Sequence, residues 1–433
     1  MSLAIPRAIV TEDHIKTIEK KLYIEKERDS NKTVSYYRPE KIPFFKVINK
    51  TLRVPFFWGC SFFGKRFIMK DELETEFHLE GELRPEQANL KEEAMNCLLE
   101  NHTVLCSCYP GFGKTILALH LIKELKKPTL IIVNKLVLLK QWEESIQKFM
   151  GFTPTIIRGK NSKITPNRLY IINAINIPKH TFENLNIGTL IVDECHLILT
   201  TVFSKGLFHI CPSYLIGLSA TPFRVDGFDV LFDIFFGMYR MHRKLCKEHQ
   251  VFCIRTNEKV PHTLDKFGKI NWNSVIDYQS KSPFRQRLIS KYCMEYPDRN
   301  ILILCKRIHQ IQSIFDALTL LNQNVEMFKE NDVSFNQDCR ILVATFQKCG
   351  TGFSFDKLDM LILAVDVKDF FLQYLGRVFR TIDVKPIVID IVDDHVLLKN
   401  HFRERKQIYT ESGGKITSVK HEHDEFKTEK KKE

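Results

Sequence analysis

Short apolar runs, bounded by polar or glycine-containing turns, recur along the chain between segments of helical period. Thr129 to Val133, Leu169 to Ile172, Leu190 to Val192 and Leu215 to Leu218 read as strands. A second series follows at Ile301 to Leu304, Ile341 to Ala344, Met360 to Ala364 and Ile387 to Ile391. Runs without polar alternation suit strands buried on both faces, and strands that alternate with helices build parallel sheets. The pattern predicts an α/β chain of two successive units, each a parallel sheet with helices on both faces. Residues 83–115 predict helix, strand and loop, followed by an amphipathic helix over 116–125. The aromatic-rich, less regular stretch 226–277 reads as the connection between units. Before them, 1–82 reads as a small mixed α/β accessory region. In it, 16–28 is charged and helix-like, and 43–67 suggests short strands and turns. The expected boundaries are 1–82, 83–240, 241–410 and a polar, disordered tail at 411–433, with His421 and His423 solvated.

Composition narrows the picture only a little. A chain of 433 residues, 44% hydrophobic and 27% charged, suits a globular protein of two or three domains. The formal charge of +12 favours a polyanionic partner without demanding one. Lys46, Lys50, Arg53, Lys65 and Arg66 interleave with aromatics. That pattern serves a surface that stacks bases and pairs phosphates, or, more simply, a small β-rich core with solvated cations. The N-terminal residues lack a signal-peptide layout, and no apolar run approaches the roughly 18 residues of a membrane span. An intracellular protein is expected. Twelve cysteines occur without a C-x-x-C pair. Cys195, Cys305 and Cys349 lie in or beside apolar runs as small hydrophobes do, so a reducing compartment fits.

The chemistry concentrates in four places. Cys108 to Thr115 reads CYPGFGKT. Gly111 and Gly113 allow backbone N–H groups to close around polyphosphate, Lys114 reaches the β- and γ-phosphates, and the Thr115 hydroxyl holds Mg²⁺. Tyr109, Pro110, Phe112 and Ile116 complete this cradle. Leu190 to His196 reads LIVDECH, a strand run ending in adjacent carboxylates. Asp193 is suited to orient Mg²⁺ and Glu194 to polarise an attacking water. Leu218 to Pro222 reads LSATP, where Ser219 and Thr221, with His196, can couple the acid box to the cleft. An isolated Ser-Ala-Thr would be an ordinary helix cap; the spacing after the acid box favours the coupling role. Gln373 to Arg380 reads QYLGRVFR. Arg377 and Arg380 are three apart, which predicts one helical face. Phosphoryl transfer needs positive charge for its transition state; Arg380 is the candidate arginine finger, Arg377 the γ-phosphate support and Gln373 its sensor.

Taken together, these stretches resemble the superfamily 2 DExH-box helicases, over roughly 83–392. LRPEQ (Leu83 to Gln87) is similar to the adenine-recognition element, CYPGFGKT to motif I, and IIVNKLVLLKQW (Ile131 to Trp142) to motif Ia. LIVDECH resembles motif II, LSATP motif III, NILILCKRIHQ (Asn300 to Gln310) motif IV, VATFQKCGTGFSF (Val343 to Phe355) motif V, and QYLGRVFR motif VI. The finer pattern resembles the XPB and phage UvsW group of DNA translocases. It also resembles the poxvirus transcript-release helicase and its relatives in large cytoplasmic DNA viruses. The resemblance implies two tandem RecA-like domains with ATP and Mg²⁺ bound in the cleft between them. Gln87 would read the base, Gly352 of motif V would line the nucleotide, and Thr115 and Asp193 would hold the metal. Lys135, Lys140, Asn173, Lys306, Arg307, Thr345 and Gln347 would contact the nucleic-acid backbone. There are departures from the family pattern. Cys108 stands where Ala or Gly is usual, Ser354 where motif V commonly carries Asp, and Asn173 where Thr or Ser is frequent.

The expected protein is an ATP-dependent helicase or translocase, monomeric, acting on DNA in preference to RNA, in viral transcription or in repair and replication. For a viral protein the expected place is the host cytoplasm, with packaging in the virion as a further expectation. An RNA helicase, and a remodelling translocase that separates no strands, are the alternatives. A P-loop kinase or nucleotide-gated binding protein is disfavoured, because the motif VI arginines have no role there.

Overall fold

A computed structural model describes residues 1–25, 41–68, 74–159, 164–165, 167–200, 204–220, 228–329, 332, 334–350, 355–368, 371–381 and 384–421. The chain divides into two compact units, Met1–Arg243 and Lys244–Glu433.

The first unit opens with five short strands: β1 (Ser2–Pro6), β2 (Tyr23–Glu25), β3 (Lys41–Pro43), β4 (Lys46–Ile48) and β5 (Thr51–Pro55). They form a three-stranded sheet ordered β1-β5-β4 and a β2-β3 pair, all antiparallel. The helix expected over 16–28 lies earlier, at Glu12–Leu22. The Thr11 hydroxyl accepts from the His14 N–H at 3.2 Å and fixes its start. The strands expected over 43–67 give way to a helix at Phe56–Phe63. FFWGCSFF is apolar almost throughout, so it carries no helical period to read. Gly59 is what lets this helix lie close on the small sheet: a Cβ there would stand 2.7 Å from Val54 Cγ2 and 2.9 Å from Leu3 Cβ. The N-terminal region does not stand apart. Its Leu3, Ile5, Leu52 and Phe56 share one buried cluster with Leu105, Leu190 and Phe236 of the larger sheet and its helices.

That larger sheet has seven strands: β6 (Thr103–Cys108), β7 (Thr129–Val133), β8 (Thr155–Ile157), β9 (Leu169–Asn173), β10 (Thr189–Val192), β11 (Tyr214–Ser219) and β12 (Arg240–Arg243). The order is β12-β6-β11-β10-β7-β9-β8, and every pairing is parallel. β6, β7, β9 and β10 are buried at every residue, the reason their sequences show no alternation. The helix after the phosphate loop, Lys114–Leu125, buries Leu117, Ala118, Leu119, Leu121, Ile122 and Leu125. It is covered more widely than an amphipathic stripe would be.

The second unit repeats the architecture with β13 (His249–Lys259), β14 (Ile301–Cys305), β15 (Val325–Phe328), β16 (Ile341–Thr345), β17 (Met360–Leu363), β18 (Ile387–Asp394) and β19 (Gly414–His421). The order is β15-β16-β14-β17-β18-β13-β19, again parallel throughout. Both units therefore have the tandem RecA-like form. Two expectations are corrected here. The supposed connection 226–277 contains β13, an eleven-residue strand between β18 and β19; its burial alternates along much of its length, and polar residues fill its exposed side. The supposed tail contains β19, which pairs in register with β13 from Gly414 to His421. Backbone pairing holds this polar segment where hydrophobicity gave no signal. His421 is accordingly buried, with Nε2 3.0 Å from the Tyr292 hydroxyl. His423 and the rest of the tail lie outside the described residues.

An ionic network ties the helix Val396–Glu411 to this sheet. Arg405, 2% exposed, donates from Nε and NH2 to the two Asp390 oxygens at 2.8 and 2.9 Å. Its NH1 donates to Asp366 Oδ1 at 2.7 Å, and the Tyr409 hydroxyl donates to Asp390 at 2.9 Å. Removing one member of such a buried set strands the others' charge, at about 3–5 kcal/mol. Arg405→Met is expected to destabilise the second unit by that amount in urea unfolding. Arg403→Met, two residues away on the exposed side, is expected to change stability by no more than about 0.5 kcal/mol.

Candidate nucleotide site and family

β6, β11 and β10 lie side by side and parallel, so their carboxyl ends share one rim. β6 delivers the loop Cys108–Lys114, β11 ends at Ser219, and β10 leads into Asp193 and Glu194. Two strand spacings, about 10 Å, separate the strands that carry the loop and the acid box. The rim of a parallel sheet is where α/β folds bind ligands.

The loop depends on its glycines. Gly111 and Gly113 have φ of 87° and 91°, the left-handed region that favours glycine. A Cβ on Gly113 would stand 2.3 Å from Gln87 Nε2. Gln87 is 3% exposed and fastened at both ends. Its Oε1 accepts from the Arg84 N–H at 2.9 Å, and its Nε2 donates to the Phe112 carbonyl at 2.7 Å. Arg84 donates to the same carbonyl. The residue expected to read the base is thus also a strut of the phosphate loop. Lys114 Nζ donates to the Cys108 carbonyl at 3.1 Å, closing the loop on itself. Cys108 is fully buried, and burial pushes its thiol up to about 12. It fills the place as a small hydrophobe. Tyr109 stacks edge-on to Phe112 at 5.4 Å, and its hydroxyl donates to Glu86 at 3.2 Å. Pro110 is buried, while Thr115 and Ile116 are half-buried in the helix that follows.

The acid box is held as tightly. Asp193 accepts from the Trp142 indole N–H at 2.9 Å and from the Glu194 N–H at 2.9 Å. Burial pushes its carboxyl up to about 6, and the adjacent Glu194 charge adds to this; the Trp142 bond and the Lys114 charge oppose it. Glu194 sits at φ 47°, ψ 48°, left-handed and unusual for a residue with a side chain. Such backbone strain persists where surrounding structure enforces it, commonly at functional sites. Glu194 Oε2 is buried and forms no hydrogen bond among the described residues; His196 Nδ1 lies 3.5 Å away. The same Nδ1 is 2.9 Å from Ser219 Oγ. Ser219, His196 and Glu194 therefore form one contiguous line from the end of β11 to the acid box. Thr221 lies outside the described residues.

Trp142 and Arg84 were not singled out in the sequence as site residues. The signal for Trp142 was available: a buried indole N–H requires an acceptor, and Trp142 is 1% exposed. Arg84, which precedes a proline, gave no comparable signal.

Residues expected to touch nucleic acid are scattered in environment. Lys135 is exposed at the head of the helix Leu136–Met150, and Lys140 lies 3.6 Å from Glu144 on the surface. Asn173 is buried, and its Oδ1 caps the turn Ala174–Lys179 by accepting from the Ile175 N–H at 3.2 Å. Within the second unit, Lys306 and Gln347 are exposed. Arg307 is engaged by Asp277 at 2.6 Å and Asn273 at 3.0 Å. Thr345 is buried and accepts from the Lys348 N–H at 3.2 Å. The shared helical face for Arg377 and Arg380 is corrected: the helix covers only Phe371–Leu375 and stops at Gly376. Turn bonds from Arg377 N to Tyr374 O and from Val378 N to Leu375 O tighten the chain as it leaves the helix. Arg377 Nε donates to the Cys349 carbonyl at 3.2 Å, Arg380 pairs with Asp356, and Gln373 is 4% exposed. Gly352 and Ser354 lie outside the described residues.

Trp142→Phe is expected to leave a buried Asp193 oxygen without its donor. The ligand-free protein should lose about 1–3 kcal/mol of stability in denaturant titration of the first unit's transition.

Comparison with known proteins accords with this geometry. The family profile described as "Type III restriction enzyme, res subunit" matches residues 80–224. "Putative helicase 161L" of Invertebrate iridescent virus 6 is 36% identical over 417 residues, covering 88% of this chain and 93% of its own. "Putative helicase 055L" of Frog virus 3 is 30% identical over 375 residues, covering 85% and 86%. Among solved structures, S. cerevisiae Dbp5 bound to RNA and ADP BeF3 superposes with a TM-score of 0.54 at 14% identity, over 80% of this chain and 96% of that one; this is a likeness of fold. Among the described residues no helix is long and apolar enough to cross a membrane. Helicases use a nucleotide and bind nucleic acid, and this chain belongs to the superfamily 2 helicases, alongside the helicase proteins of large DNA viruses.

Proposed function

We propose that the chain is an ATP- and Mg²⁺-dependent DNA translocase, with the phosphate loop and acid box of the first unit as its hydrolytic centre. The observation that carries this is the gathering of Lys114, Asp193 and Glu194 at one rim of the β6-β11-β10 strands. The donor set fits the substrate and its cation. Thr115 and Asp193 offer the hard oxygen ligands Mg²⁺ prefers, and Glu194 Oε2 is a buried acceptor with no hydrogen bond among the described residues. When bound, Mg²⁺ supplies neutralisation of charge on the transferred phosphoryl group.

The chain's own residues divide the remaining work. Lys114 trades the Cys108 carbonyl for phosphate oxygens. The N–H groups of the glycine loop receive the phosphates at the head of the helix Lys114–Leu125. Glu194 accepts the proton of the attacking water. His196 and Ser219 carry the altered charge at Glu194 toward β11. Arg380 supplies transition-state charge, with Arg377 and Gln373 beside it. Lys135, Lys140, Lys306 and Gln347 are exposed and suited to phosphate contacts that track a strand without reading its sequence. DNA is preferred to RNA on the likeness of the motifs to the XPB and UvsW group, and its viral relatives favour a role in viral transcription, repair or replication within the infected cell. Transcript release and strand separation use the same motifs; comparing displacement of a paired strand with release from a stalled polymerase distinguishes them.

ATPase rates with single-stranded DNA, duplex DNA and RNA test the reading. Stimulation by DNA well above RNA supports it, and a rate indifferent to every nucleic acid overturns it. Lys114→Ala and Glu194→Gln are both expected to abolish turnover, while Glu194→Gln retains ATP binding. Arg380→Ala is expected to keep ATP affinity near that of the parent and to lower the rate by about 10³-fold or more. A parental rate in Glu194→Gln refutes the base assignment, and one in Arg380→Ala refutes the finger.

A further inference from the structure

A basic groove lies in the second unit, on strands that carry neither motif IV nor motif V. It is a cavity of about 550 Å³ between the helix Val396–Glu411 and the face of β13 and β19, and its lining includes Arg255, Lys399, Arg403 and Lys406. Lys399, Arg403 and Lys406 follow at i, i+4 and i+7, so they share one helical face over about 10 Å. Arg255 pairs in register with Lys420 of β19, which places a further cation beside it. Phe402 and Ile416 give the groove an apolar wall. Lys399 is paired with Asp394, and Arg403 donates to the neutral Asn400 amide at 2.7 Å. Among the described residues that line the groove there is no carboxylate. A concave, one-signed surface of this kind concentrates anions.

The groove is also rigidly mounted. Arg405, the neighbour of Lys406 on the same helix, is fastened to Asp366 and Asp390, so the cationic stripe is fixed relative to the sheet. Motif V follows β16 and motif IV follows β14, whereas the groove lies on β13 and β19. β16 and β13 are four strand spacings apart, about 19 Å. The groove is therefore separate from the contacts those motifs would make.

We infer that this groove is a second nucleic-acid site that takes the phosphate backbone of one strand. Its volume falls in the range of about 300–1,000 Å³ typical of ligand sites, room for a short segment of single strand. Its length along the helix exceeds a single phosphate, and its apolar wall offers a surface for a sugar or base. The inference rests on the translocase reading, and it assigns to that motor a hold on the strand beyond the motif loops.

The test uses the full chain with Arg255→Gln, Arg403→Gln and Lys406→Gln combined. Affinity for a labelled single-stranded oligonucleotide is measured by anisotropy across about 50–200 mM salt, beside ATPase activity without nucleic acid. Loss of three phosphate contacts should reduce the slope of log affinity against log salt by about 2, at about 0.7 per contact on a single strand. Activity without nucleic acid should be unchanged, since none of the three serves the hydrolytic centre. An unchanged slope and affinity, in a variant whose parent binds, overturns the groove and leaves the translocase reading standing. A parent that neither binds the oligonucleotide nor is stimulated by it removes both. A variant that loses inorganic tripolyphosphate binding but keeps the parental oligonucleotide slope also overturns the proposal, by reassigning the groove to a small phosphorylated ligand.

Discussion

The proposed hydrolytic centre depends on the parallel pairing of β6, β11 and β10. Parallel strands end at the same rim, and nothing else brings a loop at 108–114 beside carboxylates at 193–194 and a hydroxyl at 219. The pairing is secured by burial. β6 and β10 are fully covered, and apolar residues there contribute on the order of 25 cal/mol per Å² removed from water. The sheet also passes constraint outward. Its rim fixes Gly113, whose lack of a Cβ admits Gln87, and Gln87 in turn fixes the Phe112 carbonyl. Trp142 does the same for Asp193 from the helix after β7. Loop and acid box are thus each held by a residue from a neighbouring helix.

This arrangement has a recognisable signature in the electrostatics. Asp193 is buried beside Glu194, and two adjacent carboxylates in a dry site favour protonation of one. A divalent cation bound there would relieve this repulsion. Glu194 bears the complementary backbone strain. Its left-handed conformation sets its carboxylate toward His196 while Asp193 keeps its own oxygens for Trp142 and the backbone. One strand end therefore presents two carboxylates with different surroundings, the condition for dividing metal binding from base catalysis.

Much of this was legible along the chain because the strands are buried on both faces. Apolar runs such as Thr129 to Val133 or Ile301 to Leu304 need no tertiary information to be recognised. What escaped notice was structure held by other means. β19 is polar and stays in place through the backbone of β13; its sequence resembles a solvated tail. The helix Phe56–Phe63 is so uniformly apolar that no period distinguishes it from a strand. In QYLGRVFR, spacing implied a common face for two arginines, but Gly376 ends the helix between Gln373 and Arg377. The site residues named from motifs were legible as chemistry; their supports, Trp142 and Arg84, depend on contacts that only folding creates.

The arginines of the second unit, the proposed finger Arg380 among them, are held by ion pairs of very different strength. The carboxylate partner of Arg380, Asp356, is 78% exposed, and ion pairs at such positions contribute about 0–1 kcal/mol. Arg307, by contrast, donates to both Asp277 and Asn273, so moving it forfeits two bonds at once. A phosphoryl group in flight carries more charge than one carboxylate, and a dry site strengthens its attraction to a guanidinium. An arginine serving as the proposed finger would give up this one pair at modest cost. The pair of Arg380 with exposed Asp356 is weaker than the buried pair of Arg405 with Asp390, which fastens its helix to the sheet.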